Sequence, residues 1–357
     1  MIGLDRSQAA QAPAGQGAEI SIINGSGTKA KAWPWQVALT LNRPEGRKVS
    51  ARKRYFCAGS MIAPDLVMTA AHCVADLRKG QVRRIEVITG RTWLSNSTGS
   101  SAFVKSRLMP RNQNGQSRYG SSNGRATWDV ALLKLKRRLP AQPIKLAGAS
   151  EASALSPGTL VKVTGWGVTR PFNRIGSNIL RVANQVVLGD AVCRRDNGKT
   201  YRSKTMICLG GPSGNTSTCF GDSGGPMVAR VSDGWRIIGV TSFGDPVCRP
   251  DLPSVDARVS GTAIRTWVRQ TAIRASGVDP VGSDGASPPK RSWCRVPKLR
   301  GRGISQARAA LRKSGCRLGK IARLPFGLGK SGRVSFSSLP QGWLTPTGKR
   351  IRVWVNR

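Results

Sequence analysis

Short apolar segments separated by turn-forming residues occupy most of this 357-residue chain, and their spacing limits the folds it can adopt. Each segment has the length and apolar content of a strand, and the stretches between them are rich in Gly, Pro, Asn and Ser. Because these segments do not alternate with helices, the pattern predicts an all-β sandwich or barrel and not a parallel α/β sheet. The segments are WPWQVALTL, LVMTAA, RIEVITG, DVALLKLK, LVKVTGWG and RIIGVTSF.

Changes in composition divide the chain into four parts. Residues 1–21 are rich in Ala, Gln and Gly and predict an unstructured leader or activation segment. The strand-rich part, 22–274, ends in a helix expected at 261–274. Residues 275–292 are rich in Gly, Ser and Pro, which predicts a flexible linker. The last part, 293–357, contains a helical pattern and a closing alternating strand, so we expect a small second domain there.

The charge of the chain is strongly positive, with 58 Lys and Arg against 17 Asp and Glu, or a net +41. Residues 290–357 carry 18 of these basic side chains and no acidic one. Such a surface attracts anionic polymers. No recognised nucleic-acid-binding motif accompanies the charge, so we expect no specific nucleic-acid partner. No apolar run of about 18 residues occurs, so no transmembrane segment is expected.

The chain has eight cysteines and a single histidine. No CxxC occurs, and one histidine makes a Cys/His zinc site a poor explanation, so we expect four disulfides and no metal or cofactor. Disulfides indicate an oxidising compartment and a secreted protein. The first residues lack the apolar stretch of a signal peptide, so we expect the signal to have been removed or to lie upstream.

Ser223 lies in the segment STCFGDSGGPMV, between an aspartate and two glycines. A serine hydroxyl becomes a nucleophile only when a base takes its proton and donors stabilise the resulting oxyanion. The only histidine, His72, is the one candidate base, and it follows a strand-like segment in MTAAHC. Asp129 precedes a strongly apolar strand, where a buried carboxylate needs a donor such as an imidazole N–H. These three residues are therefore a candidate catalytic group.

The motifs TAAHC, DVALLKL and GDSGGP, in that order, resemble those of the chymotrypsin-like serine proteases of the trypsin superfamily, here of bacterial type. The resemblance implies two six-stranded antiparallel β-barrels followed by a C-terminal helix, and an endopeptidase acting on protein or peptide substrates through an acyl-enzyme. It implies that His72 is the general base and then acid, that Asp129 orients it, and that Ser223 attacks the carbonyl. The backbone N–H groups of Gly221 and Ser223 would form the oxyanion hole.

The same resemblance covers the start of the strand-rich part, where IINGSGTKAKAWPWQVAL is similar to the activated N-terminus of such proteases. It implies a zymogen that is cleaved before Ile22, with the new ammonium pairing with Asp222. The loop at 90–105 lacks the acidic pair that binds calcium in some relatives. Three disulfides are implied by the family: Cys57–Cys73, Cys193–Cys208 and Cys219–Cys248.

The resemblance also places a specificity pocket around Ser217, whose neutral side chain favours an apolar residue on the acyl side of the cut bond, the P1 residue. Asp256 departs from the family, which usually has tyrosine there. If its carboxylate reaches the pocket floor it would accept a cation; otherwise we expect a salt bridge with a nearby arginine. The remaining substrate-binding candidates are Thr218, Phe220, Ser242, Phe243, Gly244 and Ser254.

The tail from about Val296 to Asn356 resembles a PASTA domain, a small α+β module of cell-wall proteins, in its opening VPKLRG, its helix and its closing strand. The resemblance implies a fourth disulfide, Cys294–Cys316, within residues 293–357. It also suggests binding to peptidoglycan or anionic cell-wall polymers, with a spacer role as the open alternative. Two readings of the whole chain compete with a protease: a catalytically silent adhesin, and a cationic protein binding nucleic acid or other anionic polymers.

Overall fold

The computed structural model describes residues 22–356 apart from 43–48, 123–124, 153–155, 173–174, 212–214, 284–292, 325–330, 340, 343 and 347–349. Its strands are β1 (Ser26–Gly27), β2 (Gln36–Leu41), β3 (Tyr55–Ala63), β4 (Leu66–Thr69), β5 (Ile85–Thr89), β6 (Ser100–Leu108), β7 (Gly120–Ser122), β8 (Arg125–Thr127), β9 (Ala131–Leu135), β10 (Lys145–Leu146), β11 (Leu160–Gly165), β12 (Arg181–Val187), β13 (Met206–Gly210), β14 (Pro226–Val231), β15 (Gly234–Phe243), β16 (Ser254–Ala257), β17 (Trp293–Arg295), β18 (Arg317–Leu324), β19 (Val334–Ser337), β20 (Leu344–Pro346) and β21 (Arg350–Asn356). The α-helices are α1 (Ala51–Arg54), α2 (Lys79–Val82), α3 (Ala149–Ala152), α4 (Asp190–Asn197), α5 (Thr262–Ser276) and α6 (Ile304–Lys313), with short 3-10 turns at Ala30–Ala32 and Gly198–Thr200.

The first six-stranded antiparallel barrel closes in the order β2-β3-β4-β9-β6-β5. Four of its strands, β2, β4, β5 and β9, lie in apolar segments recognised in the sequence, whereas β3 and β6 were not among those segments. Side chains such as Val37, Val67 and Leu132 are fully buried inside. Closure satisfies the hydrogen-bonding groups that an open sheet would expose at its edges.

The second barrel follows the order β12-β11-β14-β15-β16-β13, and a pairing of β12 with β13 closes the ring. Strand β1 pairs with β12 and the short β10 with β15, outside the ring. The expected architecture of two six-stranded antiparallel barrels is confirmed.

Helix α5 follows the second barrel, where the sequence predicted a helix. Ile264, Val268 and Ala272, spaced by four residues, form its buried stripe. The helix ends at Gly277, whose φ of +67° suits glycine and lets its N–H donate to the carbonyl of Ile273.

Residues after 292 form a separate α+β arrangement. Helix α6 buries Ala307 and Leu311 against the three-stranded sheet β18-β21-β19, and β17 pairs with β20. Within the described part of the chain, no helix is both long and apolar enough to cross a bilayer.

Four disulfides join Cys57 to Cys73, Cys193 to Cys208, Cys219 to Cys248 and Cys294 to Cys316. They are the pairs named from the sequence. The first and third lie beside the candidate catalytic residues, and the fourth holds the start of the C-terminal region to the end of α6.

Candidate active site

The candidate catalytic residues come from both barrels and meet at one cleft. His72 follows β4 and Asp129 precedes β9, and these strands are neighbours in the first barrel. Ser223 lies in the turn that leads into β14 of the second barrel. His72 and Ser223 both line a cleft of about 640 Å³. Each of these polar residues lies just outside an apolar strand. Burial of the strands in the barrels therefore leaves the three polar side chains at the cleft.

Asp129 is buried, with only 1% of its side chain exposed, and it holds His72 through two hydrogen bonds. The Nδ1–H of the imidazole donates to Oδ2 of Asp129 at 2.7 Å, and the backbone N–H of His72 donates to Oδ1 at 2.8 Å. The hydroxyl of Ser242 donates to Oδ2 at 2.5 Å. These donors satisfy a carboxylate that would otherwise be costly to bury.

Two opposing effects act on the pKa of the His72 ring. Its burial lowers its pKa, but the hydrogen bond and charge of Asp129 together outweigh that effect, so the pKa of His72 is raised from its usual value. The Nε2 atom is 3.7 Å from the Sγ of Cys73, and in the described part of the chain no hydrogen bond joins it to the Oγ of Ser223. Such catalytic hydrogen bonds commonly tighten only when substrate is bound.

The turn around Ser223 leaves two donors free. Among the described residues, the backbone N–H groups of Gly221 and Ser223 have no intramolecular acceptor. Gly224 has a φ of +79°, and a Cβ there would come within 2.2 Å of Oγ1 of Thr69, so only glycine fits. The turn is held by Gly224 N–H donating to the carbonyl of Thr241. Two unpaired N–H groups, one of them on the nucleophile's own residue, are the donors that an oxyanion requires.

Comparison with known proteins places this geometry in a family. A family model described as Trypsin matches residues 22–268. The chain belongs to the trypsin family. A protein named Trypsin from Saccharopolyspora erythraea is 34% identical over 239 residues, which cover 67% of this chain and 93% of that protein. The human protein named transmembrane protease serine 5 is 29% identical over 256 residues, which cover 70% of this chain and 51% of that protein. The chain is therefore a serine endopeptidase.

Asp222 of this trypsin-family protease lies in a fully buried site made by two glycines. A Cβ on Gly165 or Gly167 would come within 2.2 or 2.4 Å of the carboxyl group. The carboxylate accepts hydrogen bonds from the N–H of Gly167 at 2.9 Å and of Cys219 at 3.0 Å. Burial raises the pKa of Asp222 to about 7, although these two hydrogen bonds act in the opposite direction. The site thus lacks a counter-charge among the described contacts.

Ile22, the expected activation residue, is fully buried among apolar side chains of the second barrel. Ile23 forms a single antiparallel bridge with Ser217, in the segment that leads to Asp222. The residues before Ile22 lie outside the described part of the chain, and with them the expected leader.

The candidate pocket residues separate into two groups. The cleft is lined by five of them: Thr218, Phe220, Ser242, Phe243 and Gly244. Phe220 is 51% exposed and forms part of the rim. The three others, Ser217, Ser254 and Asp256, are buried and do not line this cleft.

The expectation of a salt bridge between Asp256 and a nearby arginine is wrong. Both of its carboxylate oxygens are buried, and no described residue makes a hydrogen bond to either of them. Arg258, two residues further on, donates instead to Asp190 at 2.7 Å and to the carbonyl of Met206 at 2.7 Å. The strand has ended at that point, so the guanidinium turns away from Asp256.

Sequence reasoning missed Tyr55, at the start of β3. Its hydroxyl donates to the carbonyl of Gly221 at 2.5 Å, which fixes the peptide unit that follows Gly221. Burial, and then the charge of Asp222, raise the pKa of Tyr55 well above its ordinary value, so the phenol stays a donor. Phe56, Thr241 and Asp245, which sequence reasoning also missed, line the cleft itself. No local pattern marks Tyr55, because it lies 166 residues before Gly221 in the sequence.

One group in the described residues has the donor atoms of a metal site: Cys57, His72 and Cys73, within 4.8 Å of one another. The two sulfurs are joined in a disulfide, so neither is available as the thiolate that binds a metal.

Proposed function

We propose that this endopeptidase cuts peptide bonds with Ser223 as nucleophile, His72 as general base and then acid, and Asp129 as the residue that orients the ring. The observation that carries the proposal is the pair of hydrogen bonds from His72 to one buried carboxylate. With Nδ1–H donated to Asp129, the other ring nitrogen, Nε2, is left as the proton acceptor.

The steps follow from this assignment. Nε2 of His72 accepts the proton of Ser223 as Oγ attacks the substrate carbonyl, and the oxyanion that forms accepts hydrogen bonds from the N–H groups of Gly221 and Ser223. The protonated ring then donates to the departing amine. Water, activated by the same ring, hydrolyses the acyl-enzyme.

Activation is proposed to follow cleavage before Ile22. The buried carboxylate of Asp222 has two backbone donors and, among the described residues, no counter-charge, so it is suited to receive the new ammonium. The bridge between Ile23 and Ser217 supports this proposal, because it already holds the segment beside the pocket.

The pocket is proposed to prefer apolar P1 residues. Ser217 supplies no charge at its base, and Thr218, Gly244 and Ser254 provide small walls. Ser242, Phe243 and Gly244 form the end of β15 and the residue after it, and would pair with the substrate backbone, with Phe220 at the rim.

The protein is proposed to be secreted, since disulfide-bonded proteases of this family are typically extracellular. We assign residues 22–274 to the protease domain, 1–21 to the leader, 275–292 to the linker and 293–357 to a PASTA-like module. The purely basic charge of that module favours anionic cell-wall polymers or peptidoglycan as its ligand.

Covalent labelling tests the assignment. A fluorophosphonate should modify the chain processed to begin at Ile22 at one site, Ser223, and the Ser223→Ala variant should take no label. The competing reading, a silent anion-binding protein with a protease fold, is favoured by the charge alone. Failure of the processed, folded chain to react would support that reading against the proposed mechanism.

A further inference from the structure

Asp256 lies in β16 and is fully buried, and within the part of the chain that the structure describes neither carboxylate oxygen has a hydrogen-bond partner. The Oγ of Ser254, two residues earlier, is also buried and has no partner among those residues. Residues two apart on a strand face the same side. Three buried oxygens on one face of one strand are costly without hydrogen-bond donors, and the described residues supply none to them, so they point to a group bound from outside as the source of those donors.

This face adjoins the wall of the catalytic cleft. The Cβ of Ser254 is 3.6 Å from the place where a Cβ would lie on Gly244, and Gly244 lines the cleft. Asp256 stands directly opposite Thr241 in the pairing of β15 with β16, and Thr241 also lines the cleft. Paired residues in an antiparallel ladder project to the same face. The unpaired oxygens therefore lie behind Gly244 and Thr241.

The elements around Asp256 provide no positive charge among the described residues. Its neighbours are Thr241 and Gly239 on β15, Ile207 on β13, and Met227 on β14, whose Cε occupies the space beside Gly239. The charged group that acts on it is Asp129. Burial, and then the charge of Asp129, raise the pKa of Asp256 to about 8. The raised pKa favours the protonated, uncharged form of this carboxyl group at neutral pH.

We propose that the primary specificity pocket extends inward from the cleft, behind Gly244 and Thr241, that Asp256 is its floor, and that this residue makes the P1 preference depend on pH. Uncharged, the carboxyl group admits an apolar P1 side chain. Ionised, it binds arginine or lysine, because a cation supplies both the missing donors and the missing counter-charge. This inference rests on the proposed function and names the substrate classes that its pocket takes.

Two peptides that differ only at P1, one with arginine and one with leucine, measure the effect. Arginine stays charged throughout the range, and the ionisation of His72 affects both peptides equally and cancels in their ratio. The arginine-to-leucine ratio of kcat/KM then follows the ratio of ionised to neutral Asp256. We expect it to rise about tenfold per pH unit between about pH 6 and pH 10.

Asp256→Asn should make this ratio independent of pH and favour leucine throughout. Asp251→Asn is the matched control: it removes an exposed carboxylate, 3.7 Å from Arg249, in the loop that precedes β16. It should leave the rise unchanged. A ratio that does not change with pH in the unmodified enzyme, or one that still rises in Asp256→Asn, would overturn the inference.

A second measurement avoids the variant altogether. Inhibition by a small arylamidine, a planar cation, should strengthen about tenfold per pH unit up to about pH 8 in the unmodified enzyme and then level off. Constant inhibition across that range would contradict the inference. If neither peptide is cleaved and Ser223 takes no fluorophosphonate, the proposed function fails and this inference with it. If both peptides are cleaved but the arginine-to-leucine ratio of kcat/KM does not change with pH, only the inference about Asp256 fails.

Discussion

At the scale of single residues, the burial of Asp129 is what distinguishes His72 from an ordinary histidine. The carboxylate receives three donors, from the backbone and ring of His72 and from Ser242, and each of these fixes its position. A charged group so placed both holds the ring tautomer and stabilises the protonated ring.

Asp129→Asn should reduce kcat by about 10⁴-fold, because the amide favours the wrong tautomer while leaving the shape unchanged. The pKa of His72 is raised by Asp129 against the effect of burial, so removing this charge lowers it. The acid limb of the kcat/KM profile should therefore move to lower pH, as measured with a peptide substrate from pH 4 to pH 9.

Ser242→Ala is the comparison for this prediction. It removes one donor to Asp129 and leaves the charge, so the acid limb should shift much less than in Asp129→Asn. An acid limb that stays in place in Asp129→Asn would mean that the carboxylate does not act on the ring.

At the scale of elements, the end of β11 and the turn before β14 fit together through glycines. Gly165 ends β11 and Gly167 follows it, and the carboxylate of Asp222 occupies the space where their side chains would be. The position of the Ser223 turn therefore depends on a strand that is nearly 60 residues away in the sequence.

Gly167→Ala should destabilise the protein by about 1–3 kcal/mol, because the added methyl would lie 2.4 Å from the carboxyl carbon of Asp222 and must displace it. The rate of fluorophosphonate labelling at Ser223 should also fall in this variant. Chemical unfolding and labelling rates measure the two effects separately.

Gly80→Ala is the control for this substitution. Gly80 lies inside helix α2, and apart from its chain neighbours and the backbone of that helix no described atom lies within 4 Å of the added Cβ, so the change should be neutral or stabilise the protein by up to about 1 kcal/mol. Equal stability in both variants would show that the Asp222 site tolerates a side chain.

At the scale of the whole molecule, charge is spread over both parts of the chain. Residues 290–357 contribute 18 positive charges, and the rest keeps 40 basic against 17 acidic residues. Both parts are therefore attracted to polyanions. If the tail has a wall-binding role, the full chain must bind cell walls more strongly than the protease part does alone.

A chain ending at residue 283 should cleave small peptides with unchanged kcat/KM, because the C-terminal region has its own core around Ala307 and Leu311. It should be retained less by purified anionic cell walls than the full chain, and both should be released as salt rises, since salt screens such contacts. Equal retention of the two chains at every salt concentration would remove the targeting role of the tail.

The sequence alone indicated the fold class of this protein and the chemistry of its candidate site. The apolar segments predicted an all-β fold because strand pairing depends on local patterns that can be read directly. The motifs around His72, Asp129 and Ser223 indicated the chemistry, because each has a distinctive residue type in a short stretch.

Other features depended on contacts between distant segments. Closure of the second barrel through β12 and β13, the donation from Tyr55 to Gly221 and the glycines against Asp222 carry no local signal. The environment of Asp256 is the clearest case. The sequence left two outcomes open for it, a pocket floor that accepts a cation or a salt bridge with a nearby arginine. The fold directs Arg258 to Asp190 and leaves the acid buried and without a partner among the described residues. The sequence shows which side chains can carry a charge. The partner and the solvent exposure of such a side chain depend on the strands from distant parts of the chain that surround it in the folded protein.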